Sequence, residues 1–131
     1  MNIKDANIII TGAASGFGRE ISISLGSEGA NIFAIDIDED SLQSLKETNK
    51  NINIFKCDVT DSLQIEKVIK QIFNLNMQIN VLINNAGIMK NSPLINLFDP
   101  KNSMHSEDLF DHVIKVNLYS VFNMTRRVVY N

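Results

Sequence analysis

Only one cysteine, Cys57, occurs in 131 residues. A lone thiol excludes an internal disulfide and cannot by itself build a zinc site. No metal centre is therefore expected, and a reducing cytoplasm is the natural setting. Long apolar runs are also missing: none approaches the ~20 residues that a membrane span requires. The opening Met1-Asn2-Ile3-Lys4-Asp5 meets a charged pair before any apolar stretch, so a signal peptide is not expected. There is no excess of positive charge. The formal net charge is −3, which argues against a nucleic-acid surface or a polybasic membrane contact. Internal repeats, low-complexity tracts and linkers are absent as well. What remains, 44% hydrophobic and 21% charged residues, suits one globular domain.

Short apolar runs alternate with helical patterns. Asn7–Thr11, Asn31–Ile35, Asn51–Phe55 and Ile79–Ile83 are expected as strands. Between them the 3.6-residue period appears. Phe17, Ile21 and Leu25 mark one face of a helix from about Gly16 to Glu28, with Gly29 as its stop. Asp38 is placed to cap a helix carrying Leu42 and Leu45. Thr60 or Asp61 is placed to cap one with the stripe Ile65, Val68, Ile69, Ile72. A polar segment, Asn91–Ser103 with Pro93 and Pro100, precedes a last helix capped by Ser106 and carrying Phe110, Val113, Ile114, Val121 and Phe122. Strands alternating with helices predict right-handed crossovers and a doubly wound parallel α/β sheet with helices on both faces.

The stretch Thr11-Gly12-Ala13-Ala14-Ser15-Gly16-Phe17-Gly18 follows the first strand and opens the first helix. A helix start offers unpaired N–H groups and the positive end of the dipole, and a diphosphate reaches them only where no side chains intervene. No lysine follows in the manner of a nucleoside-triphosphate loop, so that chemistry is disfavoured. Asp36 closes the second strand, 18 residues after Gly18. An acid there hydrogen-bonds the adenosine ribose in dinucleotide folds, and its charge would repel a 2′-phosphate. With no Lys or Arg among Ala13, Ala14 and Ser15, NAD is expected in preference to NADP.

At Asn84-Asn85-Ala86-Gly87, after the fourth strand, the pattern becomes specific. The chain resembles the cofactor-binding half of the short-chain dehydrogenase/reductase family. The resemblance rests on T-G-x3-G-x-G at Thr11–Gly18, Asp36, Asp58-Val59, N-N-A-G at Asn84–Gly87, and Val116-Asn117. It implies a Rossmann-type fold, here partial, with strand order 3-2-1-4. It implies that Gly12, Ser15, Gly16, Phe17 and Gly18 line the phosphates and adenosine ribose. Asp58 would accept from the adenine amino group beside Val59, and Asn85, Ala86 and Gly87 would touch the cofactor through their backbone. Asn117 falls on the Phe110–Val121 stripe; an amide on an inward face must be paired, and a tie to a backbone carbonyl is one reading. The resemblance adds a catalytic role, holding a water of the proton relay.

The family's chemistry uses a Ser and a Tyr-x3-Lys, with hydride moving between nicotinamide and an alcohol/carbonyl substrate. Neither Tyr119 nor Tyr130 is followed by Lys at the required spacing. The expectation is therefore a fragment holding the NAD-binding half, inactive alone. A non-catalytic dinucleotide-binding module and a non-functional remnant are the alternatives. His105 and His112 are too isolated for a metal pair and are expected at the surface. Cys57 is expected as a small buried side chain. In the family the last helix often packs on a second subunit, which makes a homo-oligomer an expected partner. The Asn91–Ser103 segment borders the active-site mouth in relatives, but its composition names no substrate.

Overall fold

The computed structural model describes residues 2–75, 77–98, 101 and 104–130. Pro100 and Ser103 of the expected loop, and Asn131, lie outside them. Four parallel strands form one sheet in the order β3-β2-β1-β4. They are β1 (Asn7–Thr11), β2 (Asn31–Asp36), β3 (Ile52–Lys56) and β4 (Val81–Ile83). The helices that follow the first three are α1 (Gly16–Ser27), α2 (Glu39–Lys46) and α3 (Ser62–Phe73). The last helix is continuous from Glu107 to Tyr130: α4 (Glu107–Ile114), one π turn (Lys115–Tyr119) and α5 (Ser120–Tyr130). This is the partial Rossmann-type sheet expected, with helices on both faces.

The central strands are near-continuous apolar runs because both their faces are covered. Ile8, Ile10, Ile32 and Ala34 pack with Leu42 and Leu45 of α2 and with the half-buried side chains of α1. Ile9, Phe33 and Ile35 pack on the other face with Ile65, Val68, Ile69 and Ile72 of α3 and Met124 of α5. The register aligns Ile9 with Phe33 and Leu82, a rung that faces α3 and α5, and Ile10 with Ala34 and Ile83, a rung that faces α1 and α2. Three helix starts are fixed by the expected caps. The Asp38 carboxylate accepts the Ser41 N–H (3.1 Å), Asp61 accepts those of Leu63 (2.8 Å) and Gln64 (3.2 Å), and the Ser106 hydroxyl accepts that of Leu109 (3.3 Å).

Three expectations are corrected. In α1, Phe17 is 84% exposed and Ile21 and Leu25 are only half-buried; the buried seam is Gly18, Ser22, Gly26. At Gly18 the helix lies against the turn before it with no room for a side chain, and Gly26 passes close to Asn49 and Ile52, so its contact face is made of small residues that a hydrophobic period does not register. β4 starts at Val81 rather than Ile79. Asn80 still donates its backbone N–H to the Asn7 carbonyl (2.9 Å), but the Asn7 N–H goes to the Asn80 side-chain oxygen (2.8 Å), so a side chain has replaced one bond of the ladder there.

The third correction concerns the last helix. Its buried residues are Val116, Ser120, Asn123 and Met124, while Phe110, Ile114, Phe122 and Asn117 are exposed. The Ser120 N–H reaches back to the Lys115 carbonyl, five residues earlier. One extra residue in a turn rotates everything beyond it by about 100°, so a stripe drawn at an unbroken 3.6 period cannot hold through Asn117.

Candidate nucleotide-binding cleft

The turn between β1 and α1 is built by two glycines with positive φ, Gly12 (64°) and Gly16 (51°), a region open to glycine at little cost. Their neighbours differ. A Cβ on Gly12 would stand 2.8 Å from the Ala86 Cα, and one on Gly18 would stand 2.0 Å from the Gly12 carbonyl oxygen. Around Gly16 there is nothing within 4 Å. Gly12 and Gly18 allow close packing, whereas Gly16 keeps the approach to the helix start open.

Buried Thr11 ties this turn to the segment after β4. Its hydroxyl oxygen accepts the N–H groups of Asn85 and Ala86, both at 3.1 Å. The Asn85 side-chain amide donates to the carbonyls of Thr11 (3.2 Å) and Gly12 (3.0 Å). The motifs Thr11–Gly18 and Asn84–Gly87 are thus one hydrogen-bonded unit.

The start of α1 stands apart electrostatically. Ser15 occupies the cap position, but its hydroxyl makes no cap bond, unlike those at the starts of α2, α3 and α4. Its first turn carries no acid, whereas α2 has Glu39 and Asp40 and α4 has Glu107 and Asp108 there. The positive end of the α1 dipole is therefore left uncompensated by side chains, and its first N–H groups remain for an anion.

Asp36 lies across from this end. One carboxylate oxygen accepts the Ala14 N–H (2.9 Å) and the other the Asp38 N–H (3.1 Å). Each keeps a lone pair for a further donor. Arg19, the cation in α1, donates instead to the Ser41 carbonyl (3.3 Å) and the Ser44 hydroxyl (3.2 Å) of α2. Lys56, beside Asp36 in the register, is paired with Glu39 at 2.9 Å. After β3, one Asp58 oxygen accepts both the N–H (2.8 Å) and the hydroxyl (2.7 Å) of Thr60, which holds the loop that carries Val59. Buried Cys57 has its thiol pushed up to about 12, first by burial and then by the charges of Asp58 and Asp61, so it stays protonated.

The cleft bounded by these elements has a volume of about 450 Å³, within the range of small-molecule sites. Gly12, Ser15 and Phe17 line it from the turn, Asp36 from β2, Asp58 and Val59 from the loop after β3, and Asn85, Ala86 and Gly87 from the segment after β4. Gly16 and Gly18 frame the turn without forming its wall. Asn117 clamps the rim: its oxygen accepts the Ile88 N–H and its amide donates to the Ile88 carbonyl, both at 2.8 Å. It sits in the π turn, and its side chain is tied to backbone.

Sequence reasoning missed the latch role of Thr11, although Thr11 opens the motif, and missed Ile37, Thr60, Ile88 and His112 as lining residues. His112 is exposed, as expected, but it faces this cleft. Its signal was the four-residue spacing to Val116, which the stripe through Phe110 and Ile114 concealed. Among the described residues, no group of three or more His, Cys, Asp or Glu side chains could hold a metal ion, and no helix is long and apolar enough to cross a membrane.

A family model described as short chain dehydrogenase matches residues 6–131. The chain is 35% identical over 133 aligned positions to the 3-oxoacyl-[acyl-carrier-protein] reductase FabG of Thermotoga maritima, covering 98% of this chain and 51% of that protein. It is 33% identical over 125 positions to 3beta-hydroxysteroid dehydrogenase 2 of Eggerthella lenta, covering 92% and 45%. A Burkholderia xenovorans crystal structure, titled a short-chain dehydrogenase/reductase, superposes with a TM-score of 0.85 at 24% identity over 98% of this chain and 49% of that one; at that identity the likeness concerns the fold. The chain spans about half the length of the curated relatives it matches.

Proposed function

Because the chain belongs to the short-chain dehydrogenase family, we propose that it is the cofactor-binding half of an NAD-dependent oxidoreductase that moves hydride between nicotinamide and an alcohol/carbonyl pair. One observation carries this reading: an uncapped, acid-free helix start and a carboxylate one strand over line the same cleft. NAD supplies the ring that exchanges hydride. The chain's own residues bind and orient it. The first amides of α1, reached past Gly16, take the diphosphate. Asp36, already fixed by two backbone donors, uses its remaining lone pairs on the ribose hydroxyls and disfavours a 2′-phosphate, with Arg19 and Lys56 both engaged elsewhere. Asp58 and Val59 receive the base. Asn117 holds the Ile88 backbone, and its free lone pair and N–H hold the water of a proton relay. A cytoplasmic setting and self-association through the last helix belong to the same reading, and neither nucleic acid nor membrane has a part in it.

Titration of the purified chain with NADH and NADPH tests the proposal. NADH is expected to bind with micromolar affinity and NADPH at least about tenfold more weakly, the size of one unfavourable charge contact. Asp36→Asn is expected to weaken NADH and narrow that gap. Equal affinities would overturn the NAD preference, and a flat titration with both would overturn the binding reading. The Ser and Tyr-x3-Lys of the family chemistry have no match in these residues, so secondary alcohols with NAD should yield no NADH from this chain; turnover at an ordinary rate would contradict that.

A further inference from the structure

We propose that His112 is a nucleotide-contacting residue that closes the adenine end of the cleft and stacks its imidazole on the base. The inference rests on the dinucleotide reading above and extends it to a side chain on the last helix.

His112 and Val116 are one turn apart, and both line the cleft. Asp58, Val59 and Thr60 also line it, from the loop after β3. That loop is rigid: Thr60 holds Asp58 by two hydrogen bonds, the Asp58 N–H donates to the Gln64 side chain (3.0 Å), and Val59 is packed into the core. A planar ligand seated against Val59 therefore has one firm wall and needs a second. Two aromatic rings line the cleft, Phe17 and His112. Phe17 is the second residue of α1, at the phosphate end, which leaves the imidazole for the base. Its ring offers a flat face to a purine and a polar edge to the ring nitrogens. The clamp of Asn117 on Ile88 fixes the helix to the segment after β4, so His112 is held relative to the sheet rim. The other histidine differs: His105 lies with its Nδ1 2.9 Å from the Ser106 carbonyl, and it does not line the cleft.

The test is titration of the full chain with NADH and with AMP, which carries the base without the nicotinamide. His112→Ala is expected to weaken both ligands by about tenfold, the scale of one base–aromatic stack. His112→Phe should stay within about twofold of the unsubstituted chain, because the flat face is kept. His105→Ala should change neither. Proton NMR gives a readout without substitution: saturation with AMP should move the His112 ring resonances upfield, as a stacked purine requires, and leave those of His105 in place. AMP affinity unaltered in His112→Ala, or unmoved His112 resonances at saturation, would overturn the proposal. A chain that binds neither NADH nor AMP would instead overturn the dinucleotide reading on which it depends.

Discussion

At the scale of single residues, the three glycines of the turn do different work despite their common motif. Gly18 has an ordinary helical position, yet any side chain there would meet the Gly12 carbonyl at 2.0 Å. Gly18→Ala is expected to destabilise the fold by about 3 kcal/mol or more, because backbone must move to admit one methyl group. Gly26→Ala is the comparison. Its nearest neighbour is the Asn49 side-chain nitrogen at 3.3 Å, which need give only a few tenths of an ångström while its oxygen keeps the Asn51 N–H, and alanine favours the helix by about 1 kcal/mol, so stability should hold or rise. Urea denaturation of the two variants separates them, and a mild effect at Gly18 would show that the turn relaxes. The glycine spacing marked Gly12, Gly16 and Gly18 as one bare turn, and the structure puts Gly12 and Gly18 against neighbouring backbone. Asp36, Asp58 and Asn85, named from the dinucleotide pattern and the family resemblance, line the cleft, and their contacts with a cofactor belong to the proposal above. The division of labour among the glycines was not legible, since spacing is blind to which one abuts Ala86 and which one faces open space.

Among the elements, helix starts were the most legible features, because a capping side chain acts within three residues of itself. Asp61 shows how such a cap couples to pH. The N–H groups of Gln64 and Leu63 hold its carboxyl below the ordinary 3.8. A depressed folded pKa means that the stabilisation is complete above the ordinary value and is lost as pH falls through the folded one. Asp61→Asn keeps an acceptor for the cap but cannot titrate. Its loss of stability between about pH 7 and about pH 3 should be smaller than that of the unsubstituted chain. Thermal melts across that range check this, and identical acid limbs would place the acid sensitivity elsewhere. The last helix was the least legible element. Its π turn is dictated by tertiary ties: the Asn117 side chain on Ile88 and the Val116, Ser120 and Met124 seam against α3 and the sheet. No local periodicity encodes such a shift.

For the molecule as a whole, the doubly wound parallel sheet was readable from alternating strands and crossovers, its order 3-2-1-4 came from the family resemblance, and the two core layers followed from the apolar strands. Surface associations were not, because they depend on which helical faces the π turn leaves outside. Phe110, Ile114, Leu118 and Phe122, spaced by four, form an exposed apolar row along the last helix. β4 pairs with β1 on one side, and among the described residues no strand pairs with its other edge. An apolar row of this kind favours association. Sedimentation is expected to show a concentration-dependent assembly that a Leu118→Lys, Phe122→Lys variant shifts toward monomer. Unchanged sedimentation in that variant would assign any assembly to the strand edge.

The bond from the Thr11 hydroxyl to the Asn85 amide spans 74 positions of the chain, and both its ends belong to the wall of the cleft or its support. A ribosome-bound chain that has not yet extruded residue 85 has the glycine turn but no groove for a ligand to enter. A nucleotide bound as proposed would therefore be captured late in folding, after this long-range contact has closed, and the onset of binding during synthesis would time the completion of the sheet.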